Sequence, residues 1–209
     1  MEPSPAPRRG VGRGLLWGLL VLVIAAIAGL TWWTRFGPGA VPPPPVLSEV
    51  PDFTLTAQDG STVTREDLLG APWVADLVFT RCVLACPVMS GKMAILDREL
   101  PDGVRLVSIT VDPEHDQPAV LAAYAEKFGA SDRWLFLTGP REQIAQLAGE
   151  GLRLGYDPNP PLVPLEPGDN IYHSTRFVLL DDQARVRGYY ETTESDEMDA
   201  LRRDLGALD

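Results

Sequence analysis

Cys82 and Cys86 are the two cysteines of this 209-residue chain, and three residues separate them. They lie within residues 77–89 (LVFTRCVLACPVM), directly after an apolar run that reads as a buried strand. A thiolate is both a soft ligand and a nucleophile, so two at this spacing can clamp a soft metal or close a disulfide. Two buried cysteines packing as small apolar groups would give the same spacing. Pro87 suits the first turn of a helix, which places the pair at a helix N-terminus, where the dipole lowers a thiol pKa. It also places them beyond the carboxyl end of a strand, where open α/β sheets hold their sites. His173 stands at the junction of a long proline-rich stretch and a later strand. Two thiolates and an imidazole suit copper, cysteine favouring Cu(I) and histidine helping to hold Cu(II).

The elements that must position these residues follow from periodicity. Residues 53–56 and 61–63 alternate around Ala57-Gln58-Asp59-Gly60, which reads as a hairpin. Thr64 with Asp67 resembles a capping pattern for a short turn. Residues 73–79 form a near-continuous apolar strand, and a helix runs from about Pro87 to Leu100. Residues 104–111 are a second buried strand. After a loop, Asp116 is expected to cap a helix with Pro118 in its first turn and Gly129 at its end. A strand at 134–137 and a helix at 141–148 follow. Residues 155–170 carry five prolines and no period, the signature of a functional loop or insertion. A hairpin at 174–180 and 184–190 and a helix capped by Ser195 close the chain. Strands alternating with helices predict a mostly parallel α/β sheet with antiparallel edge strands, in the thioredoxin-like order.

The termini of the chain differ in character. Residues 14–34 carry no charge over 21 positions, enough for a helix to span a hydrocarbon core of roughly 30 Å. Trp17, Trp32 and Trp33 sit at its ends, as interfacial aromatics do. A cleaved signal usually has a shorter apolar region and ends in small residues, so an uncleaved anchor is expected. Arg8, Arg9 and Arg13 precede the span and Arg35 follows it, which orients residues 1–13 to the cytoplasm and the rest outside. Residues 35–49, with four consecutive prolines, read as a semi-rigid linker before a domain at 50–209. The first 35 residues hold four arginines against Glu2. Of 18 basic and 29 acidic residues, this leaves 14 and 28 for the remainder, a net of −14. Nucleic acid is therefore not expected as a partner, whereas a basic protein or a cation would suit this body.

Three motifs carry a resemblance. F-T-x-C-x-x-x-C-P at residues 79–87, V-D-P at 111–113 ahead of Tyr124-Ala125-Glu126-Lys127-Phe128-Gly129, and H-S-T-x-F at 173–177 are similar to those of the Sco/SenC family. That resemblance covers roughly residues 50–209. It implies a thioredoxin-like fold with an inserted Pro-rich loop and β-hairpin, preceded by one transmembrane helix. It further implies copper, Cu(I) or Cu(II), held by Cys82, Cys86 and His173, with Asp112 as an acidic neighbour. The implied partners are the copper A subunit of cytochrome c oxidase and a copper donor protein. The implied location is a bacterial inner membrane, with the C-terminal domain in the periplasm. Where the family often has C-P-x-x-C-P with an acidic residue between the cysteines, this chain has the apolar Val83-Leu84-Ala85. His115 matches no ligand of the motif and reads as a loop residue.

Two functions from different classes use such a pair. One is a copper chaperone; the other is a membrane-tethered thiol-disulfide oxidoreductase that reduces partner cysteines, with Cys82 and Cys86 as its catalytic residues. His173 favours the chaperone, because a dithiol reductase has no need of a distal imidazole. A peroxidase of related fold is disfavoured, since Thr80 lies two residues before Cys82 rather than three.

Overall fold

The periodic runs become eight strands in a computed structural model, which describes residues 11–36, 42–155 and 174–208. The N-terminal tail through residue 10, linker residues 37–41 and the stretch 156–173, His173 included, lie outside the described residues. Strands β1 (Ser48–Glu49), β2 (Thr54–Ala57), β3 (Thr62–Thr64), β4 (Trp73–Val78), β5 (Arg105–Thr110), β6 (Trp134–Thr138), β7 (Arg176–Leu180) and β8 (Arg185–Glu191) alternate with helices. The helices are α1 (Val11–Phe36), α2 (Ala85–Glu99), α3 (Pro118–Phe128), α4 (Arg141–Gln146) and α5 (Ser195–Gly206).

The chain divides into two units, residues 1–42 and 43–209. The first contains α1, whose stretch Gly14–Trp33 has a mean hydropathy of 2.4 and is nowhere buried. That helix is long and apolar enough to cross a membrane.

In the second unit the strands lie in one sheet in the order β1-β8-β7-β4-β5-β6-β2-β3. Among the described residues only β4–β5 and β5–β6 pair in parallel. Each needs a crossover helix, supplied by α2 and α3. The other neighbours are antiparallel, so the expected mostly parallel sheet is corrected to a mixed one. The reason is that the N-terminal hairpin adds beside β6 while the C-terminal hairpin adds beside β4. The outermost strands, β1 and β3, are two and three residues long.

Both faces of the sheet are covered, which explains the unbroken burial of β4. On one face, Met89, Met93 and Leu96 of α2, Leu121 and Tyr124 of α3, and Leu201 and Leu205 of α5 pack on alternate strand residues such as Val74, Leu106 and Phe136. On the other, Ile144 of α4 and Leu147 pack with Leu55, Trp73, Ala75 and Val107. The predicted helix over 141–148 continues as a π turn, Leu147–Gly151. A Cβ at Gly151 would stand 2.9 Å from Pro51 Cδ, so glycine permits this close approach.

Two expected caps are corrected. Gln117, not Asp116, precedes α3, and it makes no side-chain cap bond; Asp116 is committed elsewhere, as described below. Ser195 is the first residue of α5 rather than its cap, with its hydroxyl turned to Asp196. Gly129 does end α3, in the left-handed conformation at φ 67°.

Candidate functional site

The chain leaves β4 at Val78, turns through a Cys82 N–H bond to the Phe79 carbonyl (3.2 Å), and enters α2 at Ala85. Leu84 precedes the helix and has no side chain with which to cap it. One of the unpaired first-turn donors of α2 finds a sulfur instead: the Cys86 N–H donates to Cys82 Sγ at 3.3 Å. The two thiols are therefore brought together across a single helical entry, and they are not joined in a disulfide.

Burial separates their environments from solvent. Cys82 is 6% exposed and Cys86 not at all. Burial pushes the Cys86 thiol above its ordinary range, and neighbouring Cys82 adds to that, while a hydrogen bond to the Phe79 backbone opposes it. The sequence-based expectation of a pKa lowered by the helix dipole is thus reversed at Cys86, because desolvation outweighs the field of the helix end. Above the pair, Val83, Leu84 and Val88 are exposed, so the rim of the site is apolar.

Two carboxylates at the end of β5 fix the loop. Asp112 accepts both Nε (2.9 Å) and Nη2 (2.6 Å) of Arg81, the residue before Cys82. Asp116 is fully buried and accepts the Thr80 N–H (3.0 Å), the Thr80 hydroxyl and the Thr110 hydroxyl (2.6 Å). Thr110 Oγ1 in turn accepts the Asp112 N–H at 3.0 Å. Thr80 and Arg81, both immediately before Cys82, are thereby tied to the parallel neighbour strand. Asp112, which the family resemblance implies as an acidic neighbour of the site, is committed to Arg81. Asp116 has a larger part than its sequence context indicates, because Thr80, 36 positions earlier, is brought to it only by the fold. His115 is an exposed loop residue whose N–H bonds the Asp112 carbonyl.

Strand β7 runs antiparallel to β4, pairing Val178 with Ala75. Its N-terminal end at Arg176 therefore lies at the end of the sheet that carries the cysteine loop. Ser174 donates its N–H to the Gly155 carbonyl (3.2 Å), which closes the base of the connection between them. His173 itself is outside the described residues. Among the described residues no group of three His, Cys, Asp or Glu side chains forms a metal site.

The SCO1/SenC family model matches residues 44–205, nearly the whole of the second unit. The chain belongs to the SCO1/SenC family. The SCO1 protein homologue of Bacillus subtilis (strain 168) is 31% identical over 199 residues, which cover 92% of this chain and 94% of the relative. The solved structure of BsSco, described as a Sco-family cytochrome c oxidase assembly protein with a disulfide switch, is 30% identical with a TM-score of 0.66. It covers 80% of this chain and 98% of that one. Bradyrhizobium japonicum ScoI, solved with copper bound, is 26% identical with a TM-score of 0.63, over 77% of this chain and 99% of that one. The thioredoxin-like fold expected from the sequence is the fold of these SCO1/SenC relatives.

Proposed function

We propose that this SCO1/SenC chain binds copper through Cys82, Cys86 and His173 and serves assembly of the copper A centre of cytochrome c oxidase. The observation that carries the reading is the placement of two unlinked thiols at one helical entry, with the Cys86 N–H 3.3 Å from Cys82 Sγ. Copper bound to a ScoI relative and the cytochrome c oxidase assembly role of BsSco support it. Copper is the cargo here. Two thiolates alone satisfy Cu(I), and the imidazole of His173, three residues before β7 in the sequence, adds the nitrogen that Cu(II) prefers. Arg81, Asp112 and Asp116 position the loop without entering the ligand set. Residues 14–34 act as an uncleaved anchor in a bacterial inner membrane, with 35–49 as the spacer. The flanking arginines support a periplasmic orientation for the domain over 50–209, facing a copper donor and the oxidase subunit.

A second reading has its own support. The disulfide switch of BsSco favours thiol-disulfide exchange by the same pair, as a step that prepares partner cysteines. The experiment that tests the copper reading is metal analysis of the full chain in detergent, loaded with Cu(I) under anaerobic reducing conditions. One equivalent is expected for the parent and well under half for Cys82→Ser or Cys86→Ser. Near-stoichiometric copper in the Cys82→Ser/Cys86→Ser double variant would overturn the ligand assignment.

A further inference from the structure

The large apolar side chains exposed on the second unit are not scattered. Among the described residues they are Val46, Leu47, Val83, Leu84, Val88 and Ile95, and four of these six share one surface. Leu84, Val88, Gly91 and Ile95 follow at intervals of four, three and four, which lays them along one face of α2 and its entry. At about 1.5 Å of rise per residue, the row runs roughly 16 Å down the helix from the cysteine loop. Exposure is 67% at Leu84, 57% at Val88 and 41% at Ile95, so the row meets solvent along its whole length. Gly91 interrupts it: a Cβ there would have no atom within 4 Å, which leaves a notch between Val88 and Ile95. The opposite face of α2, with Met89, Met93 and Leu96, already supplies the core contact. Folding of this domain therefore does not account for the outer row.

The flanks of the row differ in charge. α2 crosses from β4 to β5, so α5, packed on β8, and α3, which crosses to β6, lie on its two sides. Lys92, on the shoulder of the row, donates to the Thr192 carbonyl, and Arg202 Nη2 meets Glu99 Oε2 at 2.8 Å. The start of α5 is thereby held beside the row, and it carries Glu194, Asp196 and Glu197. Among the described residues none of these three enters an ion pair; Asp196 receives the Ser195 hydroxyl at 3.3 Å. On the other flank α3 is joined to α2 through the Ser90 and Tyr124 hydroxyls, 3.0 Å apart, and exposes the uncharged Ala119 and Ala123.

We propose that the outer face of α2, with the carboxylates of α5, is a docking surface for a protein that presents one or two apolar side chains among lysines and arginines. Charge decides the occupant. The chain after residue 35 carries a net of −14, so a basic protein is drawn in from a distance, and the α5 carboxylates fix how it settles. A second copy would set the same carboxylates against one another across a two-fold axis. Anionic lipid headgroups would be repelled by them. Four aliphatic side chains also fall well short of the about 800 Å² that each partner gives to a stable interface, so the encounter is brief. The row begins at Val83 and Leu84, which brings a docked protein to the cysteine loop. That use of the surface rests on the reading of Cys82 and Cys86 as a cargo site, whereas the docking itself does not.

The test takes the full chain in phosphatidylcholine discs and three short labelled peptides. One has two leucines among lysines, one has lysines and serines without leucine, and one has two leucines among glutamates. Fluorescence anisotropy, with empty discs subtracted, gives each dissociation constant at low and at physiological salt. The leucine–lysine peptide should bind about tenfold more tightly than either control and weaken as salt rises. Ile95→Asn should weaken it about fivefold. Glu194→Gln/Asp196→Asn/Glu197→Gln should weaken it about tenfold and flatten the salt response. Both variants should load Cu(I) like the parent, since neither changes a proposed ligand. Hydroxyl-radical footprinting at Val88 and Ile95 identifies the occupant, and only the leucine–lysine peptide should protect them. Protection that grows with protein concentration without peptide assigns the face to a second copy, and protection in discs relative to detergent assigns it to lipid. Either result overturns the proposal, as does equal binding of the leucine-free peptide or unchanged affinity in Ile95→Asn. A parent that binds the peptide as expected but takes up no Cu(I) overturns the ligand reading and leaves the docking surface standing.

Discussion

Replacing Asp76 by asparagine should stabilise the domain above pH 7 and do little below pH 4. The carboxyl pKa rises from 3.8 in the unfolded chain to about 7 in the fold, chiefly through burial. Below 3.8 both states hold the proton and the group has no pH-linked effect. Between 3.8 and 7 the folded state holds a proton that the unfolded state has lost, so stability falls as pH rises. Above 7 the buried carboxylate is charged and the loss is complete. At 1.36 kcal/mol per pKa unit, the whole excursion is about 4 kcal/mol. Asparagine has nearly the same shape and does not titrate, so the parent-minus-variant difference isolates this excursion from every other carboxylate. The assay is urea unfolding of both full-length chains in detergent at pH 4, 5.5, 7 and 8.5, followed by the fluorescence of buried Trp73 and Trp134. With a urea slope of about 2 kcal/mol/M, the variant midpoint should exceed the parent's by about 2 M more at pH 8.5 than at pH 4. A midpoint difference that stays constant across this range would refute the assignment of a buried, titrating carboxyl.

Other positions give separate tests. Asp116→Ala removes the acceptor of three hydrogen bonds, two of them from Thr80. It should cost about 3 kcal/mol in urea unfolding and raise the amide exchange of Thr80; protected exchange would argue that the loop is held otherwise. His173→Ala should keep much of the Cu(I) affinity and lose most of the Cu(II) affinity, read by competition titration in each oxidation state. In cells, oxidase activity should fall while the dithiol redox potential stays unchanged. Normal oxidase activity with that unchanged potential would move the function to thiol-disulfide exchange.

The route from sequence to site was legible where a residue's neighbours along the chain decide its role. The apolar run at residues 73–79 specified a strand buried on both faces, and Pro118 with Gly129 marked both ends of α3. Partners distant in sequence decided the rest. Asp116 looked like a helix cap because serine, threonine and aspartate cap helices locally, but Thr80, 36 positions earlier, claims it. The thiol of Cys86 follows the same rule: the helix-end field is local, whereas desolvation comes from the core packed around it. Asp76 lies within the near-continuous apolar run at residues 73–79. Its isolation becomes visible only when β5, α2 and α3 have closed around it.

The shortness of β1 and β3 constrains how any other molecule can approach. An exposed sheet edge normally offers a row of free N–H and C=O groups on which a foreign strand can add itself. Here the two margins extend over two and three residues, fewer than a stable added strand needs. Lateral annexation of a partner's backbone is thereby discouraged at β3, whereas β1 pairs with only Arg185 and Val186 of the seven-residue β8. Both faces of the sheet are already occupied by helices and loops. What remains is end-on approach, along the strand axes, and the end at which β4 and β5 terminate is where Cys82 waits beneath Val83 and Leu84. At that end a molecule meets side chains rather than a strand edge.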